Sequence, residues 1–147
     1  MKKLARLIRT SVASSALLVV SLASHAATLH LQAELKASTE VPPKDSAGTG
    51  HLTATLNTDT NELTYHIDFS GLTGPVVAAH FHGPALEGAN AKPQVPIKGS
   101  PITSPVDGKV TLTPEQSKDL LDGKWYFNLH TSANPGGEIR GQIVKSE

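Results

Sequence analysis

His80, His82 and His130 are the residues of this sequence whose types and spacing could do chemistry. The first two sit in Val76-Val77-Ala78-Ala79-His80-Phe81-His82-Gly83-Pro84, and the third ends Trp125-Tyr126-Phe127-Asn128-Leu129-His130. If each stretch is a strand, side chains alternate between its faces. The first then sends Ala78, His80 and His82 one way and Val77, Ala79 and Phe81 the other. The second sends Tyr126, Asn128 and His130 opposite to Trp125, Phe127 and Leu129. Residues two apart on a strand are about 6.6 Å apart and the next strand lies about 4.8 Å away. If the two stretches are neighbours, two imidazoles from one and one from the other can therefore meet at a single ion. Three imidazole nitrogens without a thiolate suit Cu(II) or Zn(II), and the usual affinity order favours copper over zinc. The competing reading is that these histidines are ordinary packing or solvated residues on the polar faces of their strands.

The elements that must position these rings read as short strands. Leu29, Leu31, Ala33 and Leu35 alternate with polar residues, as do Leu52, Ala54 and Leu56, and then Leu63, Tyr65, Ile67 and Phe69. The last two runs flank Asn57-Thr58-Asp59-Thr60-Asn61 and read as a hairpin. Its polar faces carry His51 and His66, which are expected to be solvated. Glu40 to Gly50 reads as a loop. Residues 84–105 are rich in proline and leave room only for a short edge segment near Val95 to Ile97. This stretch is expected to be a crossover between two sheets. Lys109 to Leu112 is a further short strand. Thr113-Pro114-Glu115-Gln116 carries an N-cap, a proline at the first helical position and a capping-box glutamine, which predicts a two-turn helix ending before Gly123. A turn at Ser132 to Gly137 leads to a last strand through Ile139, Gly141 and Ile143. The whole describes an all-β, antiparallel sandwich of 7–8 strands with one short helix.

The chain has 147 residues, with 13 basic and 13 acidic side chains and no cysteine. Lys2, Lys3, Arg6 and Arg9 precede an apolar run from Val12 to Leu22, and Ser24-His25-Ala26 supplies small residues at a cleavage site, so residues 1–26 read as a secretory signal. The apolar run is too short to span a bilayer, so no stable membrane anchor is expected after cleavage. Removing those four basic residues leaves 9 basic against 13 acidic, a net of −4 for residues 27–147. That balance argues against a nucleic-acid partner. The remainder suffices for one domain with its own core. Without disulfides, burial and the hydrogen-bonded ladder must hold it together.

Gly71-Leu72-Thr73, Ala79-His80-Phe81-His82-Gly83-Pro84-Ala85, Trp125-Tyr126-Phe127-Asn128-Leu129-His130-Thr131 and Asn134-Pro135-Gly136-Gly137-Glu138-Ile139-Arg140-Gly141-Gln142 together resemble the CHRD domain, named after chordin. The likeness runs from about Leu29 to Val144 and implies an immunoglobulin-like or superoxide-dismutase-like Greek-key sandwich. It implies little chemistry, since such domains occur in extracellular antagonists and in short secreted bacterial proteins. A narrower likeness is to the copper half of copper-zinc superoxide dismutase, where His80, His82 and His130 match copper ligands. The bridging histidine, the zinc cluster, the disulfide and the steering arginine of that family have no match here, and Arg140 falls too late in the chain. The expectation is a periplasmic or secreted copper-binding protein, with zinc as the alternative ion and ligands His80, His82 and His130. Asn128, Tyr126, Asn134 and Glu138 are candidates to orient the rings. The alternatives are a metal-free module that binds a protein partner and, third, a superoxide-dismutase-like enzyme.

Overall fold

The computed structural model describes residues 27–146, so the signal-like residues 1–26 lie outside the described residues. The strands are β1 (Thr28–Lys36), β2 (Thr49–Asn57), β3 (Glu62–Ser70), β4 (Val76–His82), β5 (Pro93–Pro96), β6 (Val106–Thr111), β7 (Tyr126–Thr131), β8 (Ile139–Gln142) and the two-residue β9 (Val144–Lys145). The helix α1 (Pro114–Leu121) precedes β7. Hydrogen bonds join the strands in the order β5-β4-β7-β8-β1-β2-β3-β6, with β9 paired to β1. All the pairings are antiparallel. The expected all-β class with one short helix is therefore the fold, and its nine described strands form one continuous sheet. Curling brings its halves face to face, so that Tyr65 of β3 and Phe81 of β4 meet with ring centroids 5.1 Å apart.

The alternation read in the sequence is what fills the interior. Leu31, Ala33 and Leu35 of β1, Leu52, Ala54 and Leu56 of β2, and Leu63 and Ile67 of β3 are buried. From the other half come Ala79, Phe81, Trp125, Phe127 and Leu129. Phe127 is fully enclosed and its ring lies 4.9 Å from Phe81. Truncating such a ring costs about 3–5 kcal/mol, the transfer loss plus the cavity left behind. The predicted capping box is present. Thr113 Oγ1 accepts from the Gln116 N–H at 3.2 Å, and Gln116 Oε1 accepts from the Thr113 N–H at 2.9 Å. Gln116 also donates to Gln94 Oε1, and Gln94 donates to the Gly83 carbonyl, which ties the helix to the end of β4.

Several expectations need correction. Val77 does not face the core: the register against β7 shifts between Val76 and Ala78, so Val76 turns inward and Val77 is 47 % exposed. A bulge adds one residue and reverses the phase of whatever precedes it. β6 begins at Val106, earlier than expected, because pairing with β3 extends to Val106 opposite Ile67. His51 and His66 are partly solvated as expected but are also paired, His51 with Glu34, and His66 with Asp68 and Asp107.

Candidate metal centre

β4 and β7 are neighbours, with His82 opposite Tyr126, His80 opposite Asn128 and Ala78 opposite His130. This register puts Asn128 directly across from His80 and between Tyr126 and His130 on the same face. His80, His82 and His130 each offer one nitrogen, and these atoms all lie within 4.8 Å of one another. The structure thus brings together the three histidines singled out in the sequence. His80 Nδ1 is 3.2 Å from His130 Nε2. Two donors bound to one small ion at about 2.0–2.2 Å each are about 2.8–3.6 Å apart at right-angled to tetrahedral geometry, so this spacing fits. A pair at the 4.8 Å outer limit of the cluster would need to close by about 1.2 Å on binding.

Neighbouring carbonyls fix which ring nitrogens are bare. His130 Nδ1–H donates to the Pro135 carbonyl at 2.9 Å, which leaves Nε2 as a lone pair facing the cluster. His82 Nδ1–H donates to the Ala91 carbonyl at 2.9 Å, and its Nε2 is buried with no hydrogen-bond partner. A buried polar atom without a partner costs about 1–3 kcal/mol, and a cation held there would satisfy it. Burial also lowers the pKa of His80, helped by the charges His130 and His82 would carry. Burial lowers that of His82 too, against the opposing effect of its bond to Ala91. Both shifts favour the neutral ring, the form that can bind a metal.

Aromatic and cationic side chains pack in layers against the rings. Tyr126 stacks on His82 with centroids 4.7 Å apart and planes 4° from parallel. Arg140 lies over a face of the same tyrosine, its guanidinium carbon 3.4 Å from the centroid. Arg140 is 2 % exposed and donates to Asn90 Oδ1 and the Ala89 carbonyl. The 84–105 segment is therefore more than a crossover, because its 89–91 backbone orients His82 and encloses Arg140. Sequence reading missed this, since backbone carbonyls carry no residue-type signal. It also missed Glu40, which is 4 % exposed and whose Oε1 accepts from Asn128 Nδ2 at 3.2 Å.

Of the four candidates for orienting the rings, Asn128 and Tyr126 touch histidines, with Asn128 Oδ1 3.1 Å from His130 Nε2. Asn134 and Glu138 do not. Glu138 is fully buried and accepts from Ser46, Thr131, the Thr73 backbone and hydroxyl, and Asn134. Burial alone would raise its pKa, but these hydrogen bonds outweigh that and hold it at about 2. It ties the 46–48, 71–74 and 131–137 segments together. The bond from His130 to Pro135 depends on that turn.

Comparison with known proteins supplies the family. The model of the CHRD domain matches residues 31–143, most of the described chain. The chain belongs to the CHRD domain family. No curated protein and no solved structure matches it. Within this CHRD domain the matched stretch runs from β1 to just past β8 and contains all three histidines. Among the described residues no helix is long and apolar enough to cross a membrane.

Proposed function

We propose that this CHRD domain binds copper outside the cytoplasm, as a periplasmic or secreted protein, with His80, His82 and His130 as ligands and zinc as the competing ion. The observation that carries this reading is the buried Nε2 of His82, which has no hydrogen-bond partner, in a cluster whose three histidine nitrogens lie within 4.8 Å of one another. Three nitrogen donors without sulfur favour Cu(II) and Zn(II), and the affinity order puts Cu(II) first. The signal-like residues 1–26 support export, and exported proteins meet copper. Holding or buffering the ion requires nothing beyond these donors. A role in superoxide chemistry draws no support from Arg140, which is enclosed against Tyr126 and does not face solvent.

Calorimetric titration of residues 27–147 with Cu(II) and with Zn(II) tests the reading. The wild type is expected to bind one equivalent, and His80→Ala and His130→Ala each to lose at least ten-fold in affinity. Equal affinity in all three proteins would refute the site. Family membership favours a second reading, a metal-free module presenting its loops to a protein partner. Under it, none of these proteins takes up metal and the histidines serve only the packing of β4 on β7.

A further inference from the structure

The three imidazoles leave the shell of a four-coordinate ion one donor short, and the residue at the middle of the cluster is an amide. Asn128 is 4 % exposed and sits opposite His80 in the β4–β7 register. Its Oδ1 lies 3.1 Å from His130 Nε2. That nitrogen is bare, because the proton on Nδ1 is committed to Pro135. An amide oxygen cannot donate, so two lone pairs face each other at a distance that suits two donors sharing one ion. In this orientation Nδ2 donates to Glu40 Oε1 at 3.2 Å, which turns Oδ1 toward the histidines. Glu40 is itself buried and held close by Gly137, whose φ of +114° and lack of a side chain leave room for the carboxylate.

We propose that Asn128 Oδ1 is the fourth donor of this centre and that Glu40 is the positioning residue that turns it toward the histidines. This rests on the three-histidine reading and goes beyond it by assigning the missing donor and the selectivity that follows. A hard, neutral oxygen adds to the binding of Cu(II) and Zn(II) and adds little for Cu(I), which prefers soft donors. The centre therefore discriminates between the two oxidation states of copper.

Electron paramagnetic resonance of the Cu(II)-loaded protein and competition titrations with Zn(II) and, under reducing conditions, Cu(I) separate the possibilities. Asn128→Ala is expected to change the Cu(II) parallel g value and hyperfine splitting. It should weaken Zn(II) and Cu(II) binding by about ten-fold and leave Cu(I) within about two-fold. Glu40→Ala should reproduce the spectral change, and Glu40→Gln should restore the wild-type spectrum, because its carbonyl can still accept from Asn128 Nδ2. Where Asn128→Ala does not fold, Asn128→Asp carries the test, since a charged oxygen in place of a neutral one must alter the Cu(II) spectrum. If His80→Ala abolishes binding while the Asn128 variants keep the wild-type spectrum and affinities, the fourth-donor assignment is overturned and the three-histidine site survives. If the wild type binds neither ion, both fail together.

Discussion

Burial makes His80 and His82 harder to protonate than a free imidazole, whose ordinary pKa is 6.5. A lowered pKa means that the neutral, metal-binding form persists as the pH drops past that value. Cu(II) affinity is expected to collapse as the pH falls through about 6, as protons displace the ion. Tight binding retained at pH 4 would point to a carboxylate ligand set instead. Glu138 works in the opposite sense. Its ordinary pKa of 4.5 is pulled to about 2 in the folded protein, so its stabilisation is full above pH 4.5 and is lost as the pH falls toward 2. Glu138→Gln substitutes an amide for a carboxylate surrounded by donors and leaves some of them facing N–H groups. A loss of about 2–4 kcal/mol at pH 7 is expected. Urea denaturation of wild type and variant at pH 7 and pH 3 measures it, and the gap between the two proteins should narrow at the lower pH.

The strands that carry the site were legible because their side chains alternate cleanly. Ala79 and Phe81 against His80 and His82, and Phe127 and Leu129 against Asn128 and His130, each assign one face to the core and one to the chemistry. The helix was legible from Thr113, Pro114 and Gln116, whose cap forms as read. Less legible was anything set by pairing or by the backbone. The bulge that turns Val77 outward arises from the fit of β4 to β7, and no residue type announces it. Tyr126 and Asn128 read as members of an open polar face, yet they are buried, because the 89–91 backbone, Arg140 and Glu40 cover them. Those covering groups come from segments distant in the sequence. Gly137 exemplifies the dependence of the site on such a segment. A methyl group there would meet the Glu40 carboxylate and the Asn128 amide, on a backbone whose φ of +114° strains any side chain. Gly137→Ala is expected to cost about 2 kcal/mol or more in stability and to weaken Cu(II) binding along with it, read from urea midpoints and titration. Thr113→Ala, far from the rings, should cost about 1 kcal/mol through its lost cap and leave metal affinity unchanged.

For the molecule as a whole, a cysteine-free sheet encloses one apolar core on its inner face and places a three-histidine cluster on the outer face of its β4–β7 pair. An ion that binds only the folded sheet stabilises it by mass action, about 2.7 kcal/mol at a free concentration 100 times the dissociation constant. Cu(II) should accordingly raise the thermal midpoint of the wild type, and raise that of His80→Ala by less. The most direct trial of the central claim is an anomalous difference map from crystals of the Cu(II)-loaded protein, recorded at the copper absorption edge. The account predicts one dominant peak among His80, His82 and His130. A peak instead beside His66 and Asp107, or none with copper demonstrably present, would contradict it.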